Sequence, residues 1–523
     1  MKNTLDLAKL LADGVYAWET MEPESVRVLR HVIFCENPAS NHFQSMNIFV
    51  PAEYLRDDGS INTCAEVNGF TPATAPVIFR NNCSGWMSSD PDMDRGAFIV
   101  KDCAGSGCVY VSCGARSRDL GRLGKAPAPV VDLKAGIRFL RRNASVLPGC
   151  MDRIVSIGGS GAGQMSSVLG ASGNCPDYYP WLFAIGAAGV SQTENGAYES
   201  SIRDDIAACM CFYPITDIEN ADLAYAWTRF DSGETMAKLG GGGLQGTVLF
   251  SEFKLAYQND LAQRYGEYVN DLRLSSLEGE RLSFPAVGGK AELRRGSYYE
   301  KILDNLSHAL KAWLSQQEDP HALLLERYGV AGREGKSLPD WLEKGSDGYR
   351  ITDLAGFLKG TGLARNKDIP SFDTFWNTAE NNAFGGERDA AVHYSRSNAA
   401  VLRENAERYR IMAGYEACDV DSCMTQPENE LIQTQTRLMN STHMLLDNAR
   451  KEKRSDVAPF WRIRSGTADE HTGFSVGYNL ALAAAENEGV RVDYSLVWDM
   501  RHGGEVEGTS TGTFFQWVEG LFK

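Results

Sequence analysis

The chain lacks any apolar run long enough to cross a membrane, and its opening stretch, Met1 to Gly14, is too polar for the hydrophobic core of a secretory leader. A cytoplasmic protein is the expectation. Basic runs and basic residues interleaved with aromatics are also missing. With 52 Lys and Arg against 68 Asp and Glu, the net charge is −16, which argues against nucleic acid and anionic membranes as partners. The 12 cysteines include no C-x-x-C pair. Cys103, Cys108 and Cys113 lack the histidines and paired cysteines of a zinc site, and Cys209 and Cys211 fall in an apolar run. Reduced core thiols are expected, with no metal. Internal repeats are absent, and low complexity is confined to Gly240–Gly243.

What is present describes an ordinary globular chain. It has 523 residues, 43% of them hydrophobic and 23% charged, enough for one large domain with an insertion, or two domains. Strand-like runs are Met46–Val50, Pro76–Phe79, Val109–Ser112, Ile154–Ile157, Trp181–Ala188 and Ala207–Tyr213. Asp132–Arg142 reads as a helix, because Leu133, Ile137 and Leu140 recur at helical spacing. Such alternation predicts a mostly parallel sheet with helices on both faces. From about Asp217 to Ser395 helical segments such as Tyr299–Leu310 dominate, which predicts an inserted, largely helical cap over 217–395. The sheet returns with Pro459–Arg464 and Val492–Val497 around a helix from Ser475 to Glu486, so residues 1–216 and 396–523 form the sheet domain.

Arg153–Gly163 is the most informative stretch. A strand (Ile154, Val155, Ile157) runs into glycines 158, 159, 161 and 163, and helical composition resumes at Gln164. Ser160 stands at the apex, in an approximation to G-x-S-x-G with Ala162 in the last place. No lysine follows to make a phosphate loop, and the dinucleotide spacing G-x-G-x-x-G is not met. A serine there is a nucleophile if a histidine takes its proton and an acid orients the histidine, in chain order Ser, Asp or Glu, His. Of the 8 histidines, His31 and His42 precede the serine, His308, His321 and His393 lie in the cap, and His443 lies in a polar helix. His471 and His502 remain. His502 follows the strand ending at Val497, and Asp469 follows the strand Phe460–Arg464, with Glu470 and Asp499 as rival acids. The oxyanion would be held by the N–H of Gly161 and by one near Ser84, in the loop Arg80–Trp86 after the strand ending at Phe79.

Several separated blocks resemble bacterial tannases, serine esterases of the α/β-hydrolase fold that cleave galloyl esters. They are Val109–Arg118, Gly124–Ala135, the elbow through Asn174, Asp204–Ala208, Tyr213–Tyr225, Trp461–Asp469 and Val497–His502. They cover most of the sheet domain and little of the cap. The resemblance implies the α/β-hydrolase fold, the triad Ser160, Asp469 and His502, a cap that encloses the acyl group, and no cofactor. It also implies that a lysine and a glutamate of the cap hold the phenolic hydroxyls, for which Lys367 and Glu380 are the candidates. The family places a further acid two residues beyond the triad aspartate; here that position is His471. A neutral imidazole offers one donor and one acceptor where an acid accepts from several hydroxyls. A hydroxycinnamoyl or other acyl ester therefore stands beside a galloyl ester as the expected small-molecule substrate. Cysteines beside Ser160 and His502, which bridge those positions in fungal tannases, are absent. An acyltransferase on the same machinery, and a binding protein on a hydrolase scaffold, remain the alternatives to a hydrolase. Oligomeric state is not readable.

Overall fold

Strands rich in valine, isoleucine and aromatic residues pair into one nine-stranded sheet. The computed structural model describes residues 5–21, 25–92, 98–230, 234–238, 244–285, 289, 291–333, 335–363, 367–375, 378–386, 389, 391–452, 454–503 and 511–523. The Gly240–Gly243 tract lies outside them. Numbering only the strands of the large sheet, they are β1 (Glu19–Met21), β2 (Val26–Ile33), β3 (Ser45–Pro51), β4 (Val77–Asn81), β5 (Val109–Cys113), β6 (Ile154–Gly159), β7 (Ala208–Phe212), β8 (Phe460–Gly466) and β9 (Arg491–Val497). Their spatial order is β1-β2-β3-β5-β4-β6-β7-β8-β9. The first three pairings are antiparallel and the remaining five parallel. This is the mostly parallel sheet of an α/β-hydrolase.

Alternate residues of the central strands serve two cores. Val77 and Phe79 of β4 join α1 (Ala128–Arg142) and α2 (Gly161–Ala171) on one face. Ile78 of β4 and Val155 of β6 point the other way, against Val100 and Cys103 and against Phe514, Phe515 and Val518. Covered on both faces, such strands read as unbroken apolar runs. The run Trp181–Ala188, expected to be a strand, is not one. Residues Tyr179–Ala184 form the short helix α3. Pro180 in its first turn presets helical φ, the chain turns at Gly186 (φ 66°), and Trp181 and Phe183 are exposed, so the run's apolar character does not report a buried strand.

Among the described residues, nothing between β7 and β8 adds a strand to the large sheet. The connection from β7 to β8 holds α4 (Ala221–Arg229), α5 (Glu252–Leu272), α6 (Ser297–Leu314) and α7 (Ser441–Ala449), together with small antiparallel strand pairs, Glu234–Lys238 with Leu244–Leu249, Val330–Gly332 with Gly335–Ser337, and Leu342–Gly345 with Gly348–Ile351. The last of these helices, α7, returns to pack on α2 and on α8 (Phe474–Ala485). None of the twelve cysteines is paired. Among the described residues no helix is long and apolar enough to cross a membrane.

Candidate active site

The elbow after β6 depends on close approach. A Cβ on Gly158 would lie 2.3 Å from the Ala162 carbonyl oxygen, and one on Gly161 would lie 2.8 Å from that of Cys83. Between them Ser160 takes φ 59° and ψ −125°, a conformation that non-glycine residues hold only when the surroundings impose it. Here its N–H donates to the Phe212 carbonyl at 3.0 Å, and its own carbonyl accepts from Gln164 (3.1 Å) and Ile215 (3.2 Å). The hydroxyl is thereby lifted above the C-terminal edge of the parallel strands.

Two other strand ends converge on it. The turns after β8 and β9 interlock. Thr467 N–H donates to the Val497 carbonyl (3.0 Å), Ala468 N–H to that of Met500 (3.1 Å), and Asp499 N–H to Thr467 Oγ1 (3.0 Å). The result is a hydrogen-bonded line. His502 Nε2 is 2.7 Å from Ser160 Oγ, and its Nδ1 is 3.0 and 3.1 Å from the carboxylate oxygens of Asp469. Asp469 is 1% exposed and also accepts from the N–H of His471 (2.8 Å) and Thr472 (3.2 Å). A carboxylate facing Nδ1 keeps the proton there and leaves Nε2 free to accept one from the serine. The rival acids lie elsewhere. Glu470 Oε2 is 3.5 Å from the backbone N of His502, and Asp499 pairs with Arg327 at 2.6 Å, half exposed.

Ser84 begins a short turn, Ser84–Trp86, that lies directly against Gly161. The Gly85 nitrogen is 3.3 Å and the Trp86 nitrogen 3.0 Å from where a Gly161 Cβ would sit. The Ser84 hydroxyl donates to the Gly159 carbonyl at 3.2 Å. Gly161 opens α2, so its N–H has no partner within the helix. The Ser84 turn thus packs directly against the residue that follows Ser160.

The cap candidates also come together. Lys367 Nζ is 3.3 Å from Glu380 and 3.6 Å above the ring of Phe372, and both charged side chains are largely buried. Phe372 meets the edge of Tyr225, whose hydroxyl donates to the Glu470 carbonyl at 2.8 Å. This links the Lys367 platform to the Asp469–His471 turn. The segment is anchored from α4. Buried Asp222 accepts the N–H groups of Ser371, Phe372 (2.8 Å) and Asp373 (3.0 Å), and burial raises its pKa. Lys125, from the sheet side, donates to the Asn382 carbonyl at 2.7 Å, and burial lowers its pKa. His471 lies beside the catalytic-position imidazole, with ring centroids 4.7 Å apart. Among the described residues no group of three His, Cys, Asp or Glu could hold a metal.

Sequence reasoning did not single out Tyr213, whose ring stands 5.0 Å from that of His502, or Gln164, which accepts from the Trp86 indole at 2.6 Å. Tyr213 also takes a positive φ (33°), which no local pattern announces. Gln164, a long polar residue in the first turn of an otherwise apolar and small-residue helix, was the available signal.

Comparison with known proteins agrees with this architecture. The BD-FAE family, feruloyl-esterase-like, matches residues 69–245. No curated protein sequence matches the chain. Among solved structures, the tannin acyl hydrolase of Lactobacillus plantarum is 27% identical with a TM-score of 0.74, covering 97% of each chain. A tannin acyl hydrolase solved with ethyl gallate is 26% identical with a TM-score of 0.73 and the same coverage. The tannase of Fusobacterium nucleatum shares the fold at 24% identity, with a TM-score of 0.75 and coverage of 97% of this chain and 98% of that one. Taken with the nine-stranded sheet and its serine elbow, these likenesses make the chain an α/β-hydrolase and a carboxylic ester hydrolase, similar to the bacterial tannases.

Proposed function

We propose that this ester hydrolase cleaves esters of phenolic acids through an acyl-serine intermediate on Ser160. The observation that carries the reading is the line Ser160–His502–Asp469, with contacts of 2.7 and 3.0 Å. His502 Nε2 takes the Ser160 proton as Oγ bonds to the ester carbonyl carbon. The oxyanion that forms is held by the N–H of Gly161 and by one from the Ser84 turn. The carbon–oxygen bond to the alcohol then breaks, and the alcohol leaves with the proton from His502. Water repeats the sequence: His502 takes its proton, hydroxide bonds to the acyl carbon, and the acid leaves as Ser160 regains a proton. Asp469 stabilises the imidazolium in both halves.

The acyl ring is assigned to Lys367, Glu380 and His471, in a cap of residues 217–395 carried on a catalytic domain of 1–216 and 396–523. Phenolic hydroxyls donate to Glu380 and accept from Lys367. Ethyl gallate and 3,4-dihydroxybenzoate are bound by the similar tannin acyl hydrolases, which favours a di- or trihydroxybenzoyl group. The BD-FAE match and the imidazole of His471, with one acceptor and one donor, favour a feruloyl-type group as the second reading. Hydrolysis of methyl gallate beside methyl ferulate, by the native enzyme and Ser160→Ala, separates them. Gallate cleavage lost in the variant supports the first reading, and ferulate turnover alone supports the second. Activity surviving in Ser160→Ala overturns the acyl-serine mechanism.

A further inference from the structure

The turn beside the nucleophile has a shape that its own sequence does not favour. Gly85 and Trp86 both adopt left-handed backbone, with φ 62° and 53°. Glycine takes that conformation freely, whereas a tryptophan does so only under constraint. The constraint comes from outside the turn. The Trp86 indole donates to Gln164 Oε1 at 2.6 Å, and Gln164 is itself fixed by donating to the Met439 carbonyl at 2.9 Å. The Trp86 carbonyl accepts from the Ser117 hydroxyl at 2.6 Å, and the Gly85 carbonyl from Arg118 Nε at 2.8 Å.

These anchors decide which amides remain available. The planar Gly85–Trp86 peptide, held by its oxygen on Arg118, turns the Trp86 N–H inward to the Cys83 carbonyl at 3.0 Å. The Met87 N–H closes on Ser84 at 3.2 Å. Among the described residues no acceptor takes the N–H of Ser84 or of Gly85, and Gly85 N is the one that lies 3.3 Å from the Gly161 Cβ position. An oxyanion donor is effective only when its place is fixed before the charge develops. A turn with two left-handed residues relaxes once its outside partners are gone.

We propose that Arg118 and Gln164 are positioning residues of the hydrolysis, holding the Ser84–Gly85 amides opposite the Gly161 N–H. The inference rests on the Ser160 reading above. Arg118→Met and Gln164→Met each remove one anchor. A simple aryl acetate, a benzeneboronic acid (which mimics the tetrahedral adduct) and benzoate are the probes. The expected result for each variant is a kcat lower by about 10- to 100-fold, less than loss of a donor itself, with KM held within about twofold. Boronate affinity falls with kcat, and benzoate affinity stays. Arg118→Lys, which keeps a donor within reach of the Gly85 carbonyl, recovers most of the loss. Native kcat and boronate affinity in both Met variants would overturn the proposal. So would a raised KM at native kcat, which is the mark of a substrate contact. If one variant does not fold, the other decides. Ser160→Ala keeps the two readings apart: if it is inactive while both Met variants match the native enzyme, only the positioning inference fails.

Discussion

Three acids stand in the two strand-end turns that carry the imidazole, and geometry separates them. Only Asp469 reaches the His502 ring; Glu470 touches its backbone, and Asp499 is turned outward to Arg327. Asp469→Asn should lower kcat by about 10⁴-fold, because an amide can hold the wrong tautomer and cannot stabilise the imidazolium. Glu470→Gln and Asp499→Asn should change it by no more than about threefold, since exposed or backbone-only charges contribute little. Steady-state kinetics on one aryl ester checks all three, and equal losses in the set would refute the assignment. Glu380 makes a different demand. Its carboxylate, 3.3 Å from Lys367, accepts a hydroxyl proton in the proposed pocket, so Glu380→Gln should raise KM for a trihydroxybenzoyl ester by about tenfold, roughly one charged hydrogen bond. The same variant should leave KM for the unsubstituted benzoyl ester unchanged. The order serine, acid, histidine was legible because each residue follows a strand of clear period. The anchors Gln164 and Arg118 were not, because their partners lie 78 and 33 residues away in the chain.

At the scale of elements, the described residues of the segment carrying Lys367 and Glu380 form no long helix or strand, and its shape is set by buried carboxylates. Asp373 accepts from Asn381 (2.7 Å), from His393 Nδ1 (2.8 Å), and from the N–H groups of Tyr394 (2.9 Å) and Ser395 (2.7 Å). Cys423 Sγ lies 3.2 Å from the same imidazole nitrogen, and Asp419 adds negative charge nearby. Burial disfavours the imidazolium, but the Asp373 hydrogen bond and charge outweigh it, so the pKa of His393 is raised. A raised value means the native state binds this proton more tightly than the unfolded chain. Its stabilisation is therefore complete below the unfolded value, near 6.5, and is lost as pH rises through the folded one. The melting temperature should fall more steeply above neutrality in the native protein than in His393→Gln. Parallel curves in thermal scans across that range would show that the pair does not titrate there. This architecture explains what the sequence withheld. Strands of the central sheet announced themselves by apolar runs, whereas a segment folded around Asp222 and Asp373 has no period to read. The Trp181–Ala188 run misled for the opposite reason, being apolar yet exposed at Trp181 and Phe183.

For the whole molecule the question is whether the proposed cap and the sheet are one cooperative unit. A single apolar core includes Val77 and Phe79 of the sheet together with Trp227, Tyr298 and Leu310 of the insertion. Buried polar groups cross the same boundary. Tyr298 donates to Asn479 Oδ1 of α8 at 2.6 Å, Asn479 Nδ2 donates to the Tyr265 hydroxyl at 3.1 Å, and the two tyrosine hydroxyls meet at 2.8 Å. Such a closed ring is expensive to open on one side only, because each hydroxyl or amide left behind would be buried without a partner. Unfolding of the proposed cap alone would leave the Asn479 amide without either tyrosine partner and would expose the aromatic surface around Trp227 while the sheet stayed folded. A single thermal transition is therefore expected, with far-ultraviolet dichroism, tryptophan fluorescence and loss of esterase activity superimposed. Asn479→Leu breaks the ring and should cost about 2–4 kcal/mol, from unsatisfied hydroxyls and imperfect packing. It should move that one transition to lower temperature without splitting it. A fluorescence transition that precedes loss of sheet dichroism would show instead that the cap unfolds as a separate unit, and that the acyl pocket can open while the triad remains assembled.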